Sequence, residues 1–442
     1  MSESNLPTVS IQASDNFRFG PSIVNHDAQR VLASSNGTTN GSSNGVHANG
    51  TNGTNGNSVP ATSKSTAAKL TSLDILSKFT GKFQGHGFNT IFRPDGSSTP
   101  TDLKIQTTDG VTDNILQLNL TSETQEFLPQ KLDDVPNRGL FKQGDISLRG
   151  FMYTQTIQDA MDDKNPTGET PPKDSKNPEI HFETGLWMRV PANQKPKLNA
   201  SFVRMASIPH GTTINAQGFD DAKTSNGAPV FPEADITPSL VKGGSKIPFK
   251  SQTLADTKTH RLPQDLSAYN KAGTITQEII NNPNLVLSIA NKGKQIIENT
   301  TFTVSTKPKA TDFGGGTSNI GFLVGDGSQG DFEPDTTPNR ANANVVTVSA
   351  QYWVSKVRTK LDLKPSPPKA TVSPKRLRPN DTVPSFIVNF EVKSPRTVTV
   401  EYTQIQYSQL VVLDFATLSW PHVTVGTLAP VDLEITEADL IQ

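Results

Sequence analysis

The segment Glu179-Ile-His-Phe-Glu-Thr-Gly-Leu-Trp-Met-Arg-Val-Pro191 constrains the fold more than any other stretch of this chain. His181, Glu183, Gly185 and Arg189 stand at alternating positions, so on an extended strand they share one face. Phe182, Leu186, Trp187 and Val190 add large apolar groups around them. A strand with a polar row and bulky apolar neighbours suits a barrel wall, where one face looks into a lumen. Segments 79–94 and 412–428 have the same character. Further strand candidates include 114–120, 124–128, 145–156, 199–207 and 212–217, then 295–305, 318–324, 345–358, 384–393, 396–404 and 407–415. Turn residues such as Asp109-Gly110 and Pro136-Asn-Arg-Gly139 separate them. The pattern predicts a mainly β protein, an antiparallel barrel of about ten strands in which 79–94 and 412–428 are neighbours.

Helix signals are few. Ser72-Leu-Asp-Ile-Leu-Ser-Lys-Phe79 places Leu73, Leu76 and Phe79 on one side of a short helix. The region from Ile275 to Gly293 reads as helical, split by Pro283 and capped by Gly293. It lies in an insert spanning 219–345, and its helical part, 270–295, could cap the lumen as a lid. Residues 157–178 and the proline-rich stretch 360–383 read as exposed mobile loops, the second carrying the basic group Lys364, Lys369, Lys375, Arg376 and Arg378.

Residues 1–65 contain an Asn/Gly/Ser/Thr tract too poor in apolar groups to offset the entropy of ordering, which predicts a disordered tail ahead of a barrel domain at 66–442. Phe17 to Val24 is its single apolar patch.

Charge excludes some partners. With 41 basic and 42 acidic side chains, the chain offers no field to attract nucleic acid or an anionic membrane. Having no cysteine, it has no disulfide, thiolate ligand or cysteine nucleophile. No phosphate-binding loop or His-Glu-x-x-His pair occurs. No signal peptide or membrane-length apolar run is apparent, and the expected location is cytoplasmic.

Three segments carry candidate chemistry. His181 and Glu183, roughly 6.5–7 Å apart along one face, could orient a ligand or share a proton, or form a satisfied polar pair at a barrel rim. His210, between Pro209 and Gly211, sits at a kink that could aim its ring inward or leave it on the surface. Arg204 needs an acidic partner if buried, and Glu183 is the nearest candidate. In Trp420-Pro-His-Val-Thr-Val-Gly426, the even positions Trp420, His422 and Thr424 share a face. His422 could therefore ligate a haem iron, line an apolar pocket, or be a satisfied strand histidine.

The motif His181-x-Glu183-x-Gly185-Leu-Trp-x-Arg189-x-Pro191 resembles a strand of the nitrobindins, small haem-binding β-barrels of the calycin type. Phe79-Thr-Gly-Lys-Phe-Gln-Gly-His-Gly-Phe-Asn-Thr-Ile91 looks like their opening strand, with Phe83 in place of a tryptophan. Residues 407–428 are similar to their last two strands, although the ligand position falls on Trp420 unless His422 is moved by two residues. The resemblance implies a calycin-like barrel with His422 as the metal ligand and His181, Thr90 and Trp420 at the cofactor. Arg189, Arg204, Glu183 and His210 would contact a ligand. The expected function is binding of haem or another apolar small molecule. Alternatives are a haem peroxidase, a peroxynitrite isomerase or another isomerase on the same barrel, a lipid carrier, or an interaction module using the basic loop.

Overall fold

The computed structural model describes residues 73–94, 114–139, 144–168, 178–195, 197–219, 221–307, 315–319, 344–415 and 418–441. The tail with its Phe17–Val24 patch, the turn candidate Asp109-Gly110, residues 169–177 and most of the strand candidate 318–324 lie outside these residues. Ten strands form the wall: β1 (Gly81–Pro94), β2 (Asn114–Asn137), β3 (Ile146–Asp159), β4 (Glu179–Val190), β5 (Ser201–Ser207), β6 (Thr212–Gly218), β7 (Gln295–Ser305), β8 (Asn344–Leu363), β9 (Arg396–Phe415) and β10 (Leu418–Pro430). Their order is β6-β5-β4-β3-β2-β1-β10-β9-β8-β7, and β7 returns to β6 through the pair Ser305–Gln217. Every pairing in the wall is antiparallel, and the Ser305–Gln217 pair closes the sheet into a barrel.

β1 lies antiparallel to β10, with Gly87 opposite Gly426 and Asn89 opposite Thr424. The expected neighbours do meet, although 412–428 is the end of β9 plus most of β10 rather than one strand. Candidates 114–120 and 124–128 are likewise one strand, as are 396–404 and 407–415. Both merged strands pass through turn-like polar residues because each has a paired neighbour on both sides.

Alternation makes the interior layered. The closed end holds Phe79, Phe83, Phe127, Phe151, Trp187, Phe202 and Phe302 in one cluster, sealed by the 3-10 turn Asp74–Lys78, which buries Leu76. Phe302 stacks on Tyr352 at 5.2 Å, and Trp187 meets Tyr352 edge-on at 5.1 Å. Each such ring contributes about 1.5–3 kcal/mol of burial.

The helices α1 (Ser267–Ala272), α2 (Gln277–Asn281) and α3 (Leu285–Asn291) do not cap the lumen. Pro283 separates α2 from α3, and Gly293 follows with φ of 86°, as the residues predict. Instead of a lid, they cover the outer surface of β1, β2 and β10, packing Leu266, Ile279 and Leu287 against Phe88, Phe92, Leu118 and Val425. The reason lies in β1, whose outward positions Phe88 and Phe92 are as apolar as its inward ones and need a cover. The insert also supplies a barrel strand, β7. The proline-rich segment is no free loop either: Asp381 and Thr382 are buried, and Thr382 Oγ1 donates to Thr427 O at 3.0 Å.

Candidate functional site

The middle of the barrel is polar. Glu183 on β4 and Arg204 on β5 project inward and pair through three bonds, Arg204 Nη2 donating to Oε1 at 2.6 Å and Oε2 at 2.8 Å, and Nε to Oε1 at 3.2 Å. Arg204 also donates to the hydroxyls of Tyr153 (2.9 Å) and Tyr352 (3.1 Å) and to Gln409 Oε1 (2.5 Å). The Tyr153 hydroxyl bonds to Glu183 as well. Burial pushes the Glu183 carboxyl up, but Arg204 and the contacts from His181 and Tyr153 outweigh it and hold it below the usual carboxylate range. The same pairing keeps Arg204 charged.

A second carboxyl, Glu123 on β2, sits in the same layer without a cation. It accepts from Tyr407 Oη at 2.7 Å, Gln155 Nε2 at 2.8 Å and Gln125 Nε2 at 2.7 Å. Burial raises its pKa despite these donors. Burial also lifts Tyr407 and Tyr153 well above the ordinary phenol value, so both hydroxyls keep their protons.

Two glycines make room for this layer. A Cβ on Gly426 would lie 2.7 Å from the Tyr407 ring and 2.9 Å from Glu123 Oε2, and one on Gly185 would lie 2.8 Å from the Tyr153 ring. Neither position accepts a side chain without moving buried groups.

Above the polar layer the lumen opens into a cavity of about 550 Å³. Its apolar wall includes Ile91, Ile157, Ile180, Ile208, Val348, Val411 and Leu413. Its polar groups are Asn89, Gln155, Tyr407, Gln409 and Thr424, with Arg93, His181, His210 and His422. Asn89 Nδ2 donates to Thr424 Oγ1 at 2.6 Å, while Asn89 Oδ1 is buried without a partner. His181 Nε2 lies 3.4 Å from Glu183 Oε2, and its ring meets that of His210 edge-on at 5.0 Å. Burial, then the neighbouring His181, lowers the His210 pKa.

Four of the sequence candidates, His181, His210, His422 and (through Gln409) Arg204, are thus gathered at or just beneath one cavity. Glu183 lies in the layer below. The other three are elsewhere. Arg189 points into the closed end, where its guanidinium binds Asp74 at 2.8 Å and covers the Phe202 ring at 4.3 Å. Thr90 faces outward, its hydroxyl accepting from Val423 N at 3.2 Å. Trp420 leaves the face expected from alternation and packs in the outer cluster with Phe92, Phe249 and Phe415, donating to Phe415 O at 3.0 Å. It precedes Pro421, close to the start of β10, where the alternation need not hold.

His422 does line the cavity, but its Nε2 is held by the β1 backbone, 3.1 Å from Phe92 N and 2.9 Å from Phe92 O. Burial lowers its pKa to about 4. The residues therefore do not fit the haem arrangement implied by the resemblance. The ring would have to give up Phe92 before offering Nε2 to an iron, and neither Trp420 nor Thr90 is at the cavity. Among the described residues, no group of three or more His, Cys, Asp or Glu could hold a metal ion.

Sequence reasoning missed Glu123, Tyr153, Gln155, Tyr352, Tyr407 and Gln409. Their signal was available in Phe151-Met-Tyr-Thr-Gln-Thr-Ile157 and Tyr407-Ser-Gln409, where the inward row passes from aromatic to amide within one strand. Among the described residues, no helix is long and apolar enough to cross a membrane. Comparison with known family models, curated proteins and solved structures finds no match to this chain.

Proposed function

We propose that the barrel binds a small molecule with an apolar body and an uncharged hydrogen-bonding head, the body against the aliphatic wall and the head on Gln155, Tyr407 and Gln409. One observation carries this reading: the cation beneath the cavity is already neutralised. Arg204 is matched by Glu183 in a three-bond pair, and burial raises the pKa of Glu123. On the floor a carboxylate head would meet no unmatched charge, at a cost of several kcal/mol; the other guanidinium of the lining, Arg93, stands on the wall and donates to Gln117 Oε1 at 3.2 Å. This argues against a fatty-acid-like ligand whose acid head rests on Arg204. Gln409 uses its carbonyl on Arg204, leaving its amide N–H groups for a ligand acceptor. Asn89 Oδ1 supplies an unmet acceptor on β1. The likeness to nitrobindins supports a lumen site without requiring haem.

The test uses the neutral fluorescent probe N-phenyl-1-naphthylamine. It should bind one per chain, and Val411→Trp, which fills the cavity from a half-buried wall position, should abolish binding while leaving the circular dichroism unchanged. Undiminished binding to that variant would remove the lumen as the site.

A further inference from the structure

A second cavity, of about 580 Å³, lies on the outside of the barrel, where residues 374–383 fold over β8 and β9. Lys294, which follows the Gly293 turn, lines it together with Val357, Leu377 and Tyr402. The Lys294 ammonium donates to Thr382 O at 3.0 Å and to Gln404 Oε1 at 2.7 Å, both neutral acceptors. Asp381, the nearby carboxylate, is held instead by Arg378 at 2.6 Å and by the backbone N–H groups of 377 and 378. A half-buried lysine fixed by two carbonyl oxygens, beside a cavity, is an unusual position for a cation. Burial lowers its pKa to about 8, with Asp381 opposing and Arg378 assisting. A few per cent or more of the amine is then neutral near neutral pH, against roughly a thousandth for an ordinary lysine.

The cavity rim favours anions. Lys360 and Lys375 line it, and neither forms an ion pair among the described residues. Arg358 lines it too, although Glu401 takes its guanidinium at 2.8 Å. Asp362 also lies there, its carboxylate accepting from Thr397 at 2.7 Å.

We propose that Lys294 is a covalent capture site for small aldehydes or ketones that carry an acid group. The neutral amine adds to the carbonyl carbon, forming the C–N bond. The carbonyl oxygen leaves as water with the two amine hydrogens, and the C=N bond remains. No oxidant or reductant is needed. The acid group rests against Lys360 and Lys375. This site is separate from the lumen and independent of what the lumen binds.

The test treats the full chain with glyoxylate and sodium cyanoborohydride near neutral pH, then measures carboxymethylation of each lysine by peptide mass spectrometry. Lys294 should be labelled roughly tenfold faster than Lys360 or Lys375. With propionaldehyde, which lacks the acid group, the preference should shrink severalfold. Labelling of Lys294 no faster than the two rim lysines would overturn the proposal, and an equal preference for propionaldehyde would overturn its acid requirement. Lys294→Arg should remove the fast phase of total labelling with an unchanged melting temperature, and a fast phase that persists would also overturn it.

Discussion

The two ends of this barrel are built from the same strands and the same alternation, yet one is a plug and the other a cavity. On β4, Trp187 and Arg189 enter the aromatic cluster, while Glu183 enters the polar layer and His181 reaches the cavity. On β9, Ile405 belongs to the plug, Tyr407 and Gln409 to the floor, and Val411 and Leu413 to the cavity wall. Face is set by the period of two, whereas role is set by height along the strand. Large rings that meet across the axis close the barrel. Where the inward row changes to Ile, Val and Asn, the side chains fall short of the axis and leave a void.

This contrast predicts where damage appears. The largest effect should come from the layer between the two ends. Arg204→Met leaves Glu183 buried without its cation and should lower unfolding stability by about 4 kcal/mol, measured by urea titration. Adding Glu183→Gln should recover a good part of that loss. If the double variant were as unstable as the sum of the singles, the pair would not be the coupled unit described. In the plug, Trp187→Ala should lose about 3 kcal/mol by leaving a cavity among Phe79, Phe302 and Tyr352. Probe binding by the folded fraction should be retained, because Trp187 lies below the floor.

At the open end the response is to pH. His422 titrates at about 4 in the folded chain against 6.5 as its ordinary value, so the unfolded chain binds more protons between those values. The stability from its neutral form is complete above about pH 6.5 and should be lost by roughly 2 kcal/mol as pH falls to about 4.5. His86, on the outer face of β1, is lowered to about 4 chiefly by burial and adds to the same window. His422→Gln should flatten the slope of stability against pH by close to one proton, and an unchanged slope would place the titration elsewhere. The smallest effect is expected at Thr90→Val, about 1 kcal/mol from the lost contact with Val423 and no change in probe binding. Weakened binding there would return Thr90 to the lumen.

The strands, the closed antiparallel barrel and the β1–β10 contact were legible because alternation, turn residues and edge avoidance are local or nearly local rules. His181, Glu183, Arg204 and His210 were legible as a group for the same reason, since β4 and β5 are sequence neighbours joined by a short connection. Glu123, Gln155 and Tyr407 were not. They come from β2, β3 and β9, and their meeting depends on register: Gln155 faces Gln125 and Glu183, while Tyr407 faces Gly426. Trp420 was misplaced because alternation was carried through Pro421 to a strand end. The helices were misread as a lid because an apolar helix pattern says that a surface is buried, not which surface it covers.

The account rests on the cancellation of Arg204 by Glu183, and competition between two ligands of equal length tests it most directly. Dodecanol and dodecanoate share an apolar chain and differ in head charge. Each should be titrated against bound N-phenyl-1-naphthylamine at neutral pH. The neutral alcohol should displace the probe at a concentration at least roughly tenfold below that of the carboxylate. Displacement by dodecanoate at equal or lower concentration, persisting in Arg93→Gln, would show that Arg204 is not cancelled by Glu183, and would contradict the account.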